Sequence, residues 1–440
     1  MDRLPVSGFH NSTDKYLLDC SCIFQDKLDD WSTEAASMRN VYQCAAFNIA
    51  ANAAKDSSEG LFFPRDPGET QTLKIDAAWI PSNDTATSPS TPFQSYRLSS
   101  NRMTKGLLNM GPLNRRAWGR QERYLSRRIV HFSNKEIFWE CHESYVSETH
   151  PDGIDPIDRP LSGLRYITLE LGSHSGSNAN DDRTALLHST VKRDFAYIAW
   201  SKFVVSYSAC DLTYWDDRLV AIQGIAQDFA SIVQDELVAG LWRSRLVKEL
   251  CWFMVPGSSD PGIMRDGWVA PTWSWVSCAS GVTYASHIDD IELVDAAQVV
   301  DVRARSKKFG ALTDGIMTLR CRPVTATIDI DAYKIAFESN TTSFPWKYRN
   351  HWRILLDSYK SHIEKQFPVF LVVLRCRGSH TGLAETMSGL ILIRSTQDGG
   401  VYERAGVFLG SFKSDATPYP LYNELADRLN GAEEQIISII

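Results

Sequence analysis

In the stretch DDWSTEAASMRNVYQCA (29–45) the apolar positions recur at helical spacing. At about 100° per residue, Ala35, Met38, Tyr42 and Ala45 point close to the direction of Trp31, with Val41 at the edge. Ser32, Thr33, Ala36, Ser37, Arg39, Asn40 and Gln43 fall on the other side. The spacing predicts an amphipathic helix over about 30–45, with Asp29 and Asp30 placed to cap its positive end. Glu34 breaks the pattern. It falls between Val41 and Ala45 on the apolar side, where a carboxylate is costly unless it is paired, hydrogen-bonded or part of a site.

The flanking segments set this helix in an α/β context. YLLDCSCI (16–23) reads as a short buried strand, followed by a polar turn from Gln25 to Asp30, and AFNIAA (46–51) as the next strand. Strand, helix and strand with short connections predict a parallel βαβ unit. Asp19 would lie near the carboxyl edge of such a sheet, where α/β sites are built. PLNRRAWGRQERYLS (112–126) predicts a second helix with Asn114 as its N-cap. IVHFS (129–133) and IFWEC (137–141) predict a strand pair. SNDTATSPSTP (82–92) reads as a polar insertion and HSGSNANDD (174–182) as a linker. Beyond it, DFAYIAWSKFVVSYS and the segment from Asp217 to Met254 have helical period. From about 290 the pattern turns to β-type alternation, with a helix expected near 346–366. The expected organisation is an α/β domain over 1–145, a linker over 146–182, a mainly helical region over 183–289 and a β-rich C-terminal domain over 290–440.

Composition narrows the functional classes. The 440 residues are 43% hydrophobic and 22% charged, as in an ordinary globular protein, and the formal net charge is −7. That balance favours neither nucleic acid nor an acidic membrane surface. The nine cysteines are scattered without a CxxC spacing, which points to reduced, intracellular thiols. Cys141-His142-Glu143 is too compact for a metal set, so neither metal nor cofactor is expected. The N-terminal MDRLPVSGFHNST lacks the apolar core of a signal peptide, and the densest apolar run, PVFLVVL (368–374), has strand length. A cytoplasmic protein is expected.

Several blocks together resemble the fungal heterokaryon-incompatibility (HET) domain family. YLLDCSCIFQDKLDDWSTEAASMRNVYQCAAFNIAA is similar to the family's strand ending in Asp, then Cys-Ile-x-Gln-Asp, Asp-Trp and a helix with Glu and Met. PLNRRAWGRQERYLS resembles the block built on Arg-Gly-Trp-x-x-Gln-Glu, with Ala117 where glycine is usual. YSACDLTYWDDRLVAIQGIA, VAGLWR and APTWSWVS resemble the region that often follows, and YERAGVFLGSF the C-terminal end. The family usually begins upstream with a Ser-Tyr-x-Trp-Gly-like strand and a helix, so the resemblance implies an N-terminally truncated HET domain. LLDCSCI also departs from the usual WIDSLCI.

The resemblance implies a partial flavodoxin-like, TIR-like fold. It also implies a role in non-self recognition and programmed cell death, as a signalling module assembling with itself or a protein partner. Some TIR domains hydrolyse the glycosidic bond of NAD, with a glutamate shortly after a Trp. Glu34 matches that position, and a carboxylate there could stabilise an oxocarbenium-like ribose. NAD would then be a substrate, and the truncation would impair its cleavage. Equally, Glu34 could be satisfied by a backbone N–H or an arginine. The motif positions that could form a pocket with it are Asp19, Cys22, Gln25, Asp30, Trp31, Trp118, Gln121 and Glu122. Each has a structural alternative. Asp19 could cap a turn, Cys22 could be a small buried hydrophobe, and Gln121 and Glu122 could join a network with Arg115, Arg116 or Arg123. Trp273 and Trp275 read as packing residues.

Overall fold

The computed structural model describes residues 28–56, 58–66, 68, 73–77, 94–98, 108, 110–141, 143–154, 182–255, 270–284, 293–306, 312–331, 334–337, 343–345, 352–357, 366–377, 386–396, 399–411 and 420–440. The strand expected over 16–23 and the insertion over 82–92 lie outside these residues. Two compact units divide between His174 and Ser175.

In the first unit the predicted helix forms as α1 (Leu28–Cys44). Met38 and Tyr42 are buried, as the apolar face requires. Strand β1 (Asn48–Ala50) follows, then an antiparallel ribbon of β2 (Leu73–Ala77) and β3 (Gln94–Leu98). Helix α2 (Ala117–Leu125) leads into β4 (Arg128–Phe132), β5 (Ile137–Cys141) and β6 (Tyr145–Ser147). The sheet order is β1-β4-β5-β6, with the first pair parallel and the other two antiparallel. The strand pair expected over 129–141 is therefore present.

The second predicted helix is broken. Pro112–Arg115 makes one helical turn, Arg116 is extended (φ −80°, ψ 134°), and α2 begins after it. Asn114 is not an N-cap. It is buried, and its Nδ2 donates to Asn52 Oδ1 at 2.6 Å and to the Leu108 carbonyl at 2.7 Å. An amide with two donors serves a buried junction of chain segments better than an exposed cap. Gly111 sits against the same junction, where a Cβ would lie 2.6 Å from the Asn52 backbone oxygen. Gly111→Ala is expected to cost about 1–3 kcal/mol through overpacking. Thermal unfolding checks this, and an unchanged midpoint would show that the junction yields freely.

The second unit begins with the long helix α3 (Asp182–Ser208). Its Trp200 lies 5.3 Å from Trp242 and 5.4 Å from Phe229, ring centre to ring centre. Helix α4 (Gln223–Val233) is followed by a hairpin, β7 (Leu237–Val238) and β8 (Leu241–Trp242), where helical period was expected. Ala239 (φ 48°) and Gly240 (φ 87°) form its two-residue turn, the backbone such tight hairpins need. Trp273 and Trp275 are fully buried, consistent with packing.

From Leu293 onward the chain builds an eleven-stranded sheet among the described residues. The helix expected near 346–366 is contradicted: Trp352–Leu356 is a strand paired with Tyr402–Ser411, and its Ile354 enters the core. The helix of this region is instead α5 (Pro420–Gly431), whose Leu425 is buried in that core. Strand Gln435–Ile439 then pairs antiparallel with Leu312–Cys321 and meets Tyr402 in parallel through Ile439.

Candidate functional site

The two faces of the first unit's sheet differ in chemistry. One row across all four strands is Ile49, Val130, Trp139 and Val146, apolar throughout. The opposite face carries Ile129, Glu140 and Tyr145 in one row and His131, Phe138 and Ser147 in the next, all buried. Period-2 alternation thus turns a carboxylate and an imidazole inward.

Helix α2 supplies the compensating charge. Arg123 Nε donates to Glu140 Oε2 at 2.8 Å, and His131 Nε2 lies 2.9 Å from the same oxygen. Burial pushes the Glu140 carboxyl up. The Arg123 charge and the His131 hydrogen bond outweigh that, and the pKa falls to about 2. Burial pushes the His131 imidazole down, against the pull of Glu140. A carboxylate can only accept, so His131 Nε2 is the donor of this bond. Beside them the Tyr145 hydroxyl is raised by burial. This ion pair joins α2 to β5, and His131 ties β4 to the same carboxylate.

The sequence-predicted site residues divide around this core. Asp19, Cys22 and Gln25 lie outside the described residues, as do the side chains of Asp30 and Trp31 within α1. Glu34 is half-buried, and the Ser37 hydroxyl reaches its Oε2 at 3.3 Å and its carbonyl at 2.9 Å. Trp118 and Glu122 are half-buried on α2, and Gln121 is fully buried, more than a position flanking an apolar face would be. Two residues apart on a helix is about 200°, so Gln121 faces away from the side on which Arg123 meets the sheet. Helix α1 packs against α2. The helices bearing Glu34 and the Gln121-Glu122 pair are therefore neighbours. Of the three arginines considered as network partners, Arg115 and Arg116 are exposed, and Arg123 bonds to Glu140.

Glu140 and His131 were not anticipated. The signal was in the strand patterns: IVHFS and IFWEC each put one polar residue at an inward position beside apolar ones. Among the described residues no group of three or more His, Cys, Asp or Glu could hold a metal ion. Nor is any described helix long and apolar enough to cross a membrane.

The first unit is thus a mixed α/β module whose second helix is tied to the sheet by a buried Arg–Glu–His cluster. More particularly, the family model described as heterokaryon incompatibility protein (HET) matches residues 10–122, so this segment is similar to a HET domain. At family level that implies a role related to heterokaryon incompatibility. No curated protein and no solved structure matches the chain.

Proposed function

We propose that this chain is a fungal non-self recognition protein of the cytoplasm, whose HET domain triggers incompatibility and programmed cell death. It acts as a signalling module that assembles with itself or with a protein partner, without a cofactor, nucleic acid or membrane. The HET match over residues 10–122 carries this reading. The buried charges of the unit support it, because Arg123, His131 and Glu140 are engaged with one another in holding α2 to the sheet.

A second reading rests on Glu34. It is half-buried, takes a hydroxyl contact from Ser37 at 3.3 Å, and lies on the helix packed against the Gln121-Glu122 helix. In this reading the unit is a TIR-like hydrolase of NAD, with Glu34 beside the ribose as bond cleavage leaves it cationic. Expression of the wild type and Glu34→Gln in a fungal host separates the two. The signalling reading expects death from both proteins with cellular NAD unchanged. If the wild type depletes NAD and Glu34→Gln abolishes both depletion and death, the hydrolase reading replaces it.

A further inference from the structure

A cavity of about 260 Å³ opens in the second unit between α4 and the β7–β8 turn, with nine residues in its lining, among them Ala226, Ala230, Ala239 and Gly240. Its floor is apolar and built from small residues: Ala226, Ala239 and Gly240 are buried. None of the nine lining residues is ionisable, and the only polar side chains are the two exposed amides of Gln223 and Gln227. The turn beneath is held rigidly. The Ser274 hydroxyl donates to the Ala239 carbonyl at 2.6 Å and the Trp275 indole N–H to the Gly240 carbonyl at 2.9 Å. Both residues are fully buried and neither lines the cavity. They also fix Ala239 at φ 48°, a left-handed conformation that a non-glycine residue holds only when its surroundings impose it.

The peptide bond between Ala239 and Gly240 is trans. With the Ala239 carbonyl turned to Ser274, the Gly240 N–H points the opposite way. No hydrogen bond from that N–H is formed among the described residues. We propose that this cavity is a binding site for a small, neutral, largely apolar molecule bearing one carbonyl-type acceptor. The acceptor takes the Gly240 N–H, the body fills the apolar floor, and the glutamine amides close the rim. The absence of ionisable lining excludes a charged ligand, since nothing there repays its desolvation. Glycine is required at 240, because a Cβ would lie 2.8 Å from Trp275 Nε1.

The test uses the full chain and three probes of one shape: acetophenone, ethylbenzene and benzoate, followed by saturation-transfer NMR. Acetophenone is expected to bind about three- to tenfold more tightly than ethylbenzene, the worth of one neutral hydrogen bond. Benzoate is expected not to bind. Ala226→Phe fills the floor and is expected to abolish the acetophenone signal. Ala230→Trp, at the wall, does the same should the first variant not fold. The proposal is overturned if acetophenone does not bind, if ethylbenzene binds equally well, or if the filled variants retain the signal. It is also overturned if sedimentation shows a dimer that Ala230→Trp dissolves, because a side chain of a second copy would then be the occupant.

Discussion

Arg404→Ala lowers the unfolding free energy of the second unit by about 3–5 kcal/mol, the range for removing one partner of a buried ion pair. The Arg404 side chain joins three segments of this unit. Its Nε and Nη2 donate to the two Asp357 oxygens at 2.6 and 3.2 Å, and Nη1 donates to the Leu250 carbonyl at 2.7 Å. Nη2 also donates to the Trp252 carbonyl, and the guanidinium lies 3.5 Å from the centre of the Trp252 ring. Truncation would leave a buried carboxylate and two carbonyls without these donors, where unmade bonds cost more than made ones contribute. Arg404→Lys recovers little, because a single ammonium cannot reproduce the planar fork. Urea unfolding of the full chain measures the loss. The combined Arg404→Leu and Asp357→Leu variant should lose clearly less than the sum of the two single changes. A loss below about 1 kcal/mol for Arg404→Ala would place the pair among weak surface bridges and refute the account.

The same residue shows what the sequence could and could not disclose. YERAGVFLGSF reads plainly as a strand, but nothing in it says that Arg404 points inward to the loop before Trp252 and to Asp357 after Leu356. Those partners are 152 and 47 residues distant, and local pattern carries no information about them. Helix α1 and the β4–β5 pair were legible because their periodicity is local and unbroken. The break at Arg116 was not, because it serves Asn52, 62 residues before Asn114. Within the helix expected near 346–366, the apolar run Trp352–Leu356 fits either period, and its pairing with Tyr402–Ser411 makes it a strand. Glu34 stood out as a carboxylate on an apolar face, and it is half-buried there with a hydroxyl from its own helix. Glu140, its pKa held down to about 2 by Arg123 and His131, is a described carboxylate that no motif marked.

Glu140→Gln is expected to destabilise the first unit by about 3–5 kcal/mol, because Arg123 stays buried after its carboxylate is gone. Its pH signature separates this from a packing defect. The folded pKa of Glu140 is about 2 against an ordinary 4.5. A depressed carboxylate adds stability that is fully present above the unfolded value and is lost as pH falls through the folded one. The wild type should therefore lose about 3 kcal/mol between roughly pH 4.5 and pH 2 from this group, at 1.36 kcal/mol per unit. His131 adds an earlier loss. Its folded pKa lies below 6.5, so the unfolded chain binds the proton first and stability declines as pH drops under that value. In Glu140→Gln the loss below pH 4.5 should flatten. The decline beginning near pH 6.5 should remain, since a glutamine carries no charge to favour the imidazolium. Hydrogen exchange of the β4 and β5 amides across this range reads both terms on the full chain. Identical acid profiles for the two proteins would mean that Glu140 is not ionised in the fold, and the Arg–Glu–His lock would have to be redrawn as neutral hydrogen bonds. The Arg123→Met and Glu140→Leu double variant gives the complementary result. With no charge left uncompensated, it should be more stable than either single variant, and it should lack the share of the loss below pH 4.5 that Glu140 contributes.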